Sequence, residues 1–350
     1  MRNRRARYPT VSSFARSVLI EWRRLKLPTS GETVIVAVSG GADSTALLLA
    51  LDEIRKAEKT NFQICVAHFD HRIRAASARE AKWVAALASK LGYISVVGRA
   101  KVEEIAREKS DNLEQAAREL RYDFLERTAK RKKANVVLTA HTMDDQAETV
   151  LMRLMRGSGD IGLGAIESVR KLKIDSKIDL VRPLLWARRA DTVDYCEARG
   201  VEYFVDEMNH DESFARVKVR KQLIPLMQSF NSKVVEALSR TAGLLREDGA
   251  FLYSGAAELL KAATQQDDDG DKTKFPTLNV KVLVNAPVAL RKRAIRQWII
   301  EVKGNARRLE QVHLLAVERL LANDAGGKVV ELPGGIKVKR RRGLLEIETP

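Results

Sequence analysis

Cysteine is nearly missing from this 350-residue chain: there are only 2, Cys65 and Cys196, each inside an apolar-patterned segment and neither in a C-x-x-C pair. That shortage argues against a disulfide framework and against a cysteine-built metal site, and it reads as two buried thiols in a reducing compartment. Uninterrupted apolar runs of membrane-spanning length are missing too, which predicts a soluble protein with no membrane partner. The Walker pattern G-x-x-x-x-G-K-[ST] is absent. Acid is in deficit, with 62 Lys and Arg against 46 Asp and Glu and a formal charge of +16. The first 20 residues carry Arg2, Arg4, Arg5, Arg7 and Arg16 and no acid. This is a weak likeness to an organelle-targeting presequence. An amphipathic helix from about Ser12, with Phe14, Val18, Leu19 and Trp22 on one side, explains the segment as well, and the cytoplasm is the expected location.

What is present is a chain 45% hydrophobic, long enough for two or three domains with real cores. The basic excess is uneven. From Asp271 onward 17 Lys and Arg face 8 Asp and Glu, an excess that a polyphosphate partner such as nucleic acid would use. A surface that merely solubilises would mix both signs.

The most informative stretch is Val34-Ile35-Val36-Ala37-Val38-Ser39-Gly40-Gly41-Ala42-Asp43-Ser44. A β-branched run predicts a short buried strand, Ser-Gly-Gly turns the chain, and Thr45–Leu51 begins a helix. Such a turn points several backbone N–H groups and a helix dipole at one anion. Ser39 and Ser44 add hydroxyls, Gly40, Gly41 and Ala42 let the backbone approach, and Asp43 is a candidate holder of Mg²⁺. The bland alternative is an ordinary βα turn. The Ser-Gly-Gly-x-Asp-Ser pattern resembles the pyrophosphate loop of the ATP pyrophosphatases, which implies ATP cleaved between its α and β phosphates.

Further strands are expected at Phe62–His68, Tyr93–Val97, Asn135–Ala140, Asp179–Leu185 and Val201–Val205. Helices are expected at Glu80–Leu91, Asn112–Lys132, after His141 and at Arg188–Arg199. The alternation predicts an α/β, mostly parallel, doubly wound sheet. Its loops at the carboxyl ends of the strands would gather at one rim. Gly157–Gly164 reads as a mobile glycine-rich connection. Four regions are expected: a catalytic domain at 1–225, a helical linker at 226–263, an acidic hinge at 264–274, and a basic, small α+β domain at 275–350. The last would hold helices at about Pro287–Lys303 and Arg308–Leu321, then strands at Lys328–Leu332, Ile336–Lys339 and Leu344–Ile347.

His141, Asp144, Asp145 and Glu148 open a helix, where carboxylates cap the end and complement its dipole. Facing a phosphate loop, they could instead bind Mg²⁺ or a cationic substrate, or take a proton from an amine. A zinc reading lacks a second His at metal spacing. Arg118 and Arg121, one turn apart, are either solvated or a clamp for developing phosphate charge; spacing leaves both open.

Several motifs then follow the loop in one order. They are His68-Phe69-Asp70-His71-x-x-Arg74, Ala116-Ala117-Arg118-x-x-Arg121-Tyr122, His141-x-x-Asp144-Asp145-Gln146-x-Glu148-Thr149, Arg182-Pro183-Leu184-Leu185, and Asp206-x-x-Asn209 with Arg216 and Arg220. Together these resemble the tRNA(Ile)-lysidine synthetase family, densely over residues 30–225 and more loosely over Lys328–Glu348. The resemblance implies an adenine-nucleotide α-hydrolase-like fold and an ATP-dependent carbon–nitrogen ligase. It also implies three substrates: ATP, free L-lysine and a tRNA(Ile) with a CAU anticodon, whose wobble cytidine is adenylated at its C2 oxygen and converted to lysidine.

By resemblance, Asp43, Arg121, Asp145 and Glu148 are catalytic, with Asp145 and Glu148 holding and deprotonating lysine. Ser39–Ser44, His68 and Arg118 fall on the ATP side, and His141, Asp144, Asp206, Asn209, Arg216 and Arg220 on the lysine and tRNA side. Thr142 stands where the family often has a second His, and Met208 where it often has a small hydroxyl residue. The rivals are a tRNA 2-thiocytidine synthetase, which would need clustered cysteines, an NAD-synthetase-like amidotransferase, which leaves the basic end unexplained, and a non-catalytic ATP-regulated RNA-binding protein, which leaves the acids idle.

Overall fold

The computed structural model describes residues 11–71, 77–100, 102, 113–205, 214–265, 275–306, 308–322 and 328–350. The basic residues before Val11, the Arg72–Arg74 end of the first histidine motif, Asp206 to Asn209 and the acidic run from Gln266 to Lys274 lie outside them. Two compact units divide between Ala242 and Gly243.

The first unit is built on a six-stranded sheet. β1 (Ser30–Ala37) pairs in parallel with β2 (Asn61–Asp70) on one side and β4 (Val136–Leu138) on the other. β3 (Ile94–Arg99) continues beyond β2, and β6 (Asp179–Val181) beyond β4, both parallel; β5 (Val169–Lys171) closes the edge antiparallel to β6. The strand order therefore reverses beside β1, where open α/β sheets bind ligands.

β1 is apolar on both faces because both are covered. Val34 and Val36 enter a core with α1 (Ser13–Arg24), α2 (Ala42–Lys56), α3 (Ser77–Lys90) and α7 (Arg189–Ala198). Ile35, pointing the other way, meets Val137, Leu180 and the Tyr122, Phe124 and Leu125 side chains of α4 (Leu113–Arg131). α2 is apolar nearly all round for the same reason: every residue from Ser44 to Asp52 is buried. At its far end Glu53 accepts from Ser12 N (2.6 Å), Ser12 Oγ (3.0 Å) and the Tyr195 hydroxyl (2.6 Å), and pairs with Arg199, tying α1 and α7 to α2.

Three local expectations are corrected. Val201–Val205 joins no ladder; it runs extended across the nucleotide-loop side, held by the Phe204 amide donating to the Gly40 carbonyl at 2.9 Å. The ladder begun at Asp179 ends at Val181: the Arg182 amide still bonds Ser168 O in register with β5, and Pro183 has no N–H with which to carry the pairing on. Gly157–Gly164 contains a helical turn, α6 (Asp160–Leu163), whose end is gripped by Arg153 Nη1 donating to the carbonyls of Gly162 (2.6 Å) and Ala165 (3.1 Å).

After α5 (Met143–Met155) and α7, one continuous helical path runs through α8 (Ala215–Lys218), a π turn at Val219–Leu223 and α9 (Ile224–Phe230). α10 (Val234–Ala263) follows, and the boundary between the units falls inside it.

The second unit packs the end of α10, α11 (Val280–Asn285), α12 (Val288–Lys303) and α13 (Gln311–Ala322) around Trp298 and Ile299, against an antiparallel sheet. That sheet runs β7 (Thr264–Gln265), β8 (Thr277–Asn279), β11 (Leu344–Glu348), β10 (Ile336–Arg341), β9 (Val329–Leu332). The β9–β10 hairpin turns at Gly334 and Gly335, with φ of +92° and +75°, a conformation that costs any other residue a Cβ clash.

Candidate functional site

Between β1 and α2 the chain makes the expected turn. Gly40 sits at φ +99°, and a Cβ there would lie 3.2 Å from Phe204 Cδ2. Ser44 Oγ accepts from the Ser39 amide (3.1 Å) and donates to the Gly41 carbonyl (3.1 Å), which holds the loop open around the first turn of α2. Behind it the buried His68 places Nδ1 2.8 Å from the Val38 carbonyl. A carbonyl only accepts, so that nitrogen carries the proton and fixes the ring.

The acids cluster at the N-terminus of α5. Thr142 caps the helix: its amide (2.8 Å) and hydroxyl (3.2 Å) both donate to Asp145 Oδ2. The departure at Thr142 is thus a working cap, and Asp145 does take part in capping. Its other oxygen, Oδ1, accepts from Arg189 Nη2 and Arg216 Nη2, each at 3.2 Å.

Glu148 is wholly buried and three guanidiniums converge on it. Arg216 Nε and Arg220 Nε donate at 2.7 Å each, while Arg189 Nη1 and Nη2 stand at 3.3 and 3.4 Å. Asp144 faces α7 instead, gripped by Arg188 Nε and Nη2 at 3.1 Å each and by the Arg189 amide at 2.7 Å. Asp43, across the site on α2, accepts from the Thr192 hydroxyl and lies 3.7 Å from Arg189 Nε.

Burial pushes the Asp43 carboxyl up to about 6; Thr192 and Arg189 pull it down, and Asp145 and Asp144 add to the rise. Burial pushes Asp145 up as well, but Arg216, His141, Arg189 and the Thr142 amide hold it below the ordinary carboxylate value. His141, 3.1 Å from Thr139 Oγ1, is driven down to about 3, chiefly by burial and then by Arg182, Arg121 and Arg216 against the pull of Asp145. Arg121 is lowered by burial first, then by Arg118 and Arg216, and its Nε has no hydrogen-bond partner among the described residues. Among the described residues no group of three or more His, Cys, Asp or Glu could hold a metal ion.

The structure therefore brings Asp43, Asp145, Glu148, Arg216 and Arg220 into one network, with His141 and Arg121 on its border. Asp206 and Asn209 lie outside the described residues. Arg188, Arg189 and Thr192 were not singled out from the sequence. One signal was available: two arginines begin a helix that leaves a strand end, where a cation opposes the dipole and needs an acidic partner.

Both units match known protein families. The PP-loop domain family matches residues 15–227, and the TilS substrate binding domain matches residues 278–345. The tRNA(Ile)-lysidine synthase of Leifsonia xyli subsp. xyli is 37% identical over 317 residues, 90% of this chain and 89% of that protein. Those of Clostridioides difficile and Geobacter sulfurreducens are 31% and 35% identical; this chain spans 68% and 64% of their lengths, and they cover 93% and 89% of it. Among solved structures, the U34-tRNA thiolase NcsA from Methanococcus maripaludis with its [4Fe-4S] cluster superposes with a TM-score of 0.56 at 15% identity, covering 67% of this chain and 78% of that one. That likeness speaks for the fold alone.

Proposed function

The chain belongs to the tRNA(Ile)-lysidine synthase family, and from that premise we propose that it converts the wobble cytidine of a CAU-anticodon tRNA(Ile) to lysidine, using ATP and free lysine in the cytoplasm. The C2 oxygen of the cytidine attacks the α phosphate, and pyrophosphate leaves. The ε-amine of lysine then attacks C2, and AMP departs with the oxygen.

The observation that carries this reading is the position of one cation. The Arg189 guanidinium lies within 3.7 Å of Asp43 on the nucleotide loop and within 3.4 Å of Asp145 and Glu148 on α5. A cationic group thus fits between the loop that would cradle the phosphates and the acids that would hold lysine. The loop amides and the Ser39 and Ser44 hydroxyls bind phosphate oxygens at the dipole of α2. Arg121, with an unpartnered Nε, supplies a donor for charge that develops at the α phosphate.

Asp145 and Glu148 receive the lysine ammonium. Its proton passes to a carboxylate whose guanidinium partner has turned toward the phosphate, because arginine pairing keeps a carboxylate a weak base. Asp43 suits Mg²⁺: that ion is commonly held through one or two carboxylates plus phosphates, and Asp43 carries repulsion from Asp144 and Asp145 that a divalent cation relieves. Bound there, Mg²⁺ would neutralise phosphate charge.

The test combines purified protein, ATP, Mg²⁺, lysine and an unmodified CAU-anticodon transcript, followed by mass spectrometry of the digested tRNA. A wobble cytidine heavier by lysine less water supports the reading. An unchanged cytidine with AMP produced overturns the lysine step, and no AMP overturns the adenylation.

A further inference from the structure

Arg121 borders a second cluster of charge, built on Tyr122. That ring is buried, and three guanidiniums stand around it: Arg118 Cζ at 4.9 Å, Arg170 at 5.2 Å and Arg121 at 5.6 Å from the centroid. Arg182 is close enough to feel Arg170 and Arg118; its Nη1 donates to the Glu167 carbonyl at 2.5 Å, and its buried Nε has no partner among the described residues. Burial would raise the Tyr122 phenol, yet Arg118, Arg121 and Arg170 bring it below the ordinary tyrosine value, a mark of the positive field there.

No carboxylate among the described residues pairs with any of the four. Among the described residues Arg118 meets the ring, and Arg170 the ring and the Lys171 carbonyl at 2.9 Å. An aromatic face can orient guanidiniums but cannot neutralise them. Their planar forks remain available for phosphate oxygens.

Two phosphate carriers compete for such a site, and the fold separates them. The nucleotide loop opens onto α2, on one face of the sheet, whereas Tyr122 belongs to the core on the opposite face. Arg170 sits on β5, three strand spacings from β1 in the sheet order, about 14 Å away at the backbone. Arg118 is exposed and Arg170 half-exposed, open to a long ligand.

We propose that Arg118 and Arg170, stacked on Tyr122, form a binding site for the phosphodiester backbone of the RNA substrate, at the edge of the catalytic site and separate from the cradle for ATP. This rests on the reading of the chain as a tRNA-modifying enzyme.

The experiment measures affinity without turnover. A fluorescently labelled, unmodified CAU-anticodon transcript is titrated with the full chain at several salt concentrations, and ATP binding is measured in parallel. Arg170→Ala should weaken RNA binding about fivefold and flatten the slope of log affinity against log salt by about one. Arg170→Lys should restore most of both, and ATP affinity should hold throughout. Arg118→Ala, on an exposed helix face, should weaken RNA binding in the same way, which guards against a folding defect at β5; its ATP affinity decides between this site and the ATP side, where the resemblance puts Arg118.

Unchanged RNA affinity and slope in both alanine variants would overturn the site. Weakened ATP binding with RNA binding intact would assign the cluster to the nucleotide and overturn it equally. If the wild-type chain binds the transcript through these residues but makes no lysidine, the catalytic reading falls and the RNA site stands. If lysidine forms while both alanine variants bind RNA as the wild type does, the RNA site falls and the catalytic reading stands.

Discussion

Two clusters of charge meet at Arg121, and they are opposite in kind. In the carboxylate cluster every acid has its guanidinium: Glu148 has three, Asp145 two, and Asp144 a bidentate one. Around Tyr122 the guanidiniums have no acid at all among the described residues. The first cluster can admit a charged substrate only by exchanging one partner for another. The second can admit an anion without giving anything up. A matched network sets geometry, and an unmatched one sets affinity and its dependence on salt.

The contrast breaks most severely at Glu148. Glu148→Gln removes the charge that Arg216 and Arg220 approach to 2.7 Å inside a buried site. Stability should fall by about 3 kcal/mol, read as an earlier thermal transition, and lysidine formation should be lost. Asp145→Ala comes next. If Asp145 serves lysine, pyrophosphate release should survive better than transfer to lysine, and the ratio of the two products measures this. Equal loss of both would reassign Asp145 to the nucleotide side.

Asp43→Asn sharpens the contrast through pH. The folded carboxyl stands at about 6 against an ordinary 3.8, so folding favours its protonated form. That contribution is whole below about pH 4 and is lost as pH rises through about 6. The amide cannot ionise, so this variant should melt higher than wild type above pH 6, and equally below pH 4, while losing turnover. The smallest effect belongs to Arg189→Met. Its side-chain contacts to the carboxylates are 3.2 Å or longer, where those of Arg216 and Arg220 reach 2.7 Å. Its melting temperature should drop less than that of Arg216→Met. The apparent KM for lysine should fall, because a competing resident cation is gone.

The fold was legible wherever a pattern is local. The β-branched run at Val34–Val38 and the all-apolar α2 announce a buried strand and a buried helix, and their loop is where the motif placed it. What could not be read depended on partners distant in sequence. Val201–Val205 has the composition of a strand, but its amide at Phe204 bonds a glycine 164 positions earlier in a loop, not a ladder. β5 carries Val169, Arg170 and Lys171, a run too short and too polar to announce a strand, and its place follows from the partner it meets in β6. In the site, the carboxylates and Arg216 and Arg220 were found from motifs. Arg188 and Arg189 belong to no motif, and a basic residue on a helix is ordinarily solvated.

One residue without charge follows the turn that carries Arg220. Pro225 has no amide hydrogen, and just before it the helix runs through the π turn at Val219–Leu223, with the Ile224 amide bonding back five residues to Val219. The turn acts as a one-residue phase shift in the helical screw. Everything downstream of it is rotated by about 100° relative to an uninterrupted α-helix. Arg216 and Arg220 both reach Glu148 while the apolar side chains of Val219 and Ile224 still close over Leu151 and Ala147. A deletion anywhere between Val219 and Leu223 would put the helix back in phase and turn one of those two faces away.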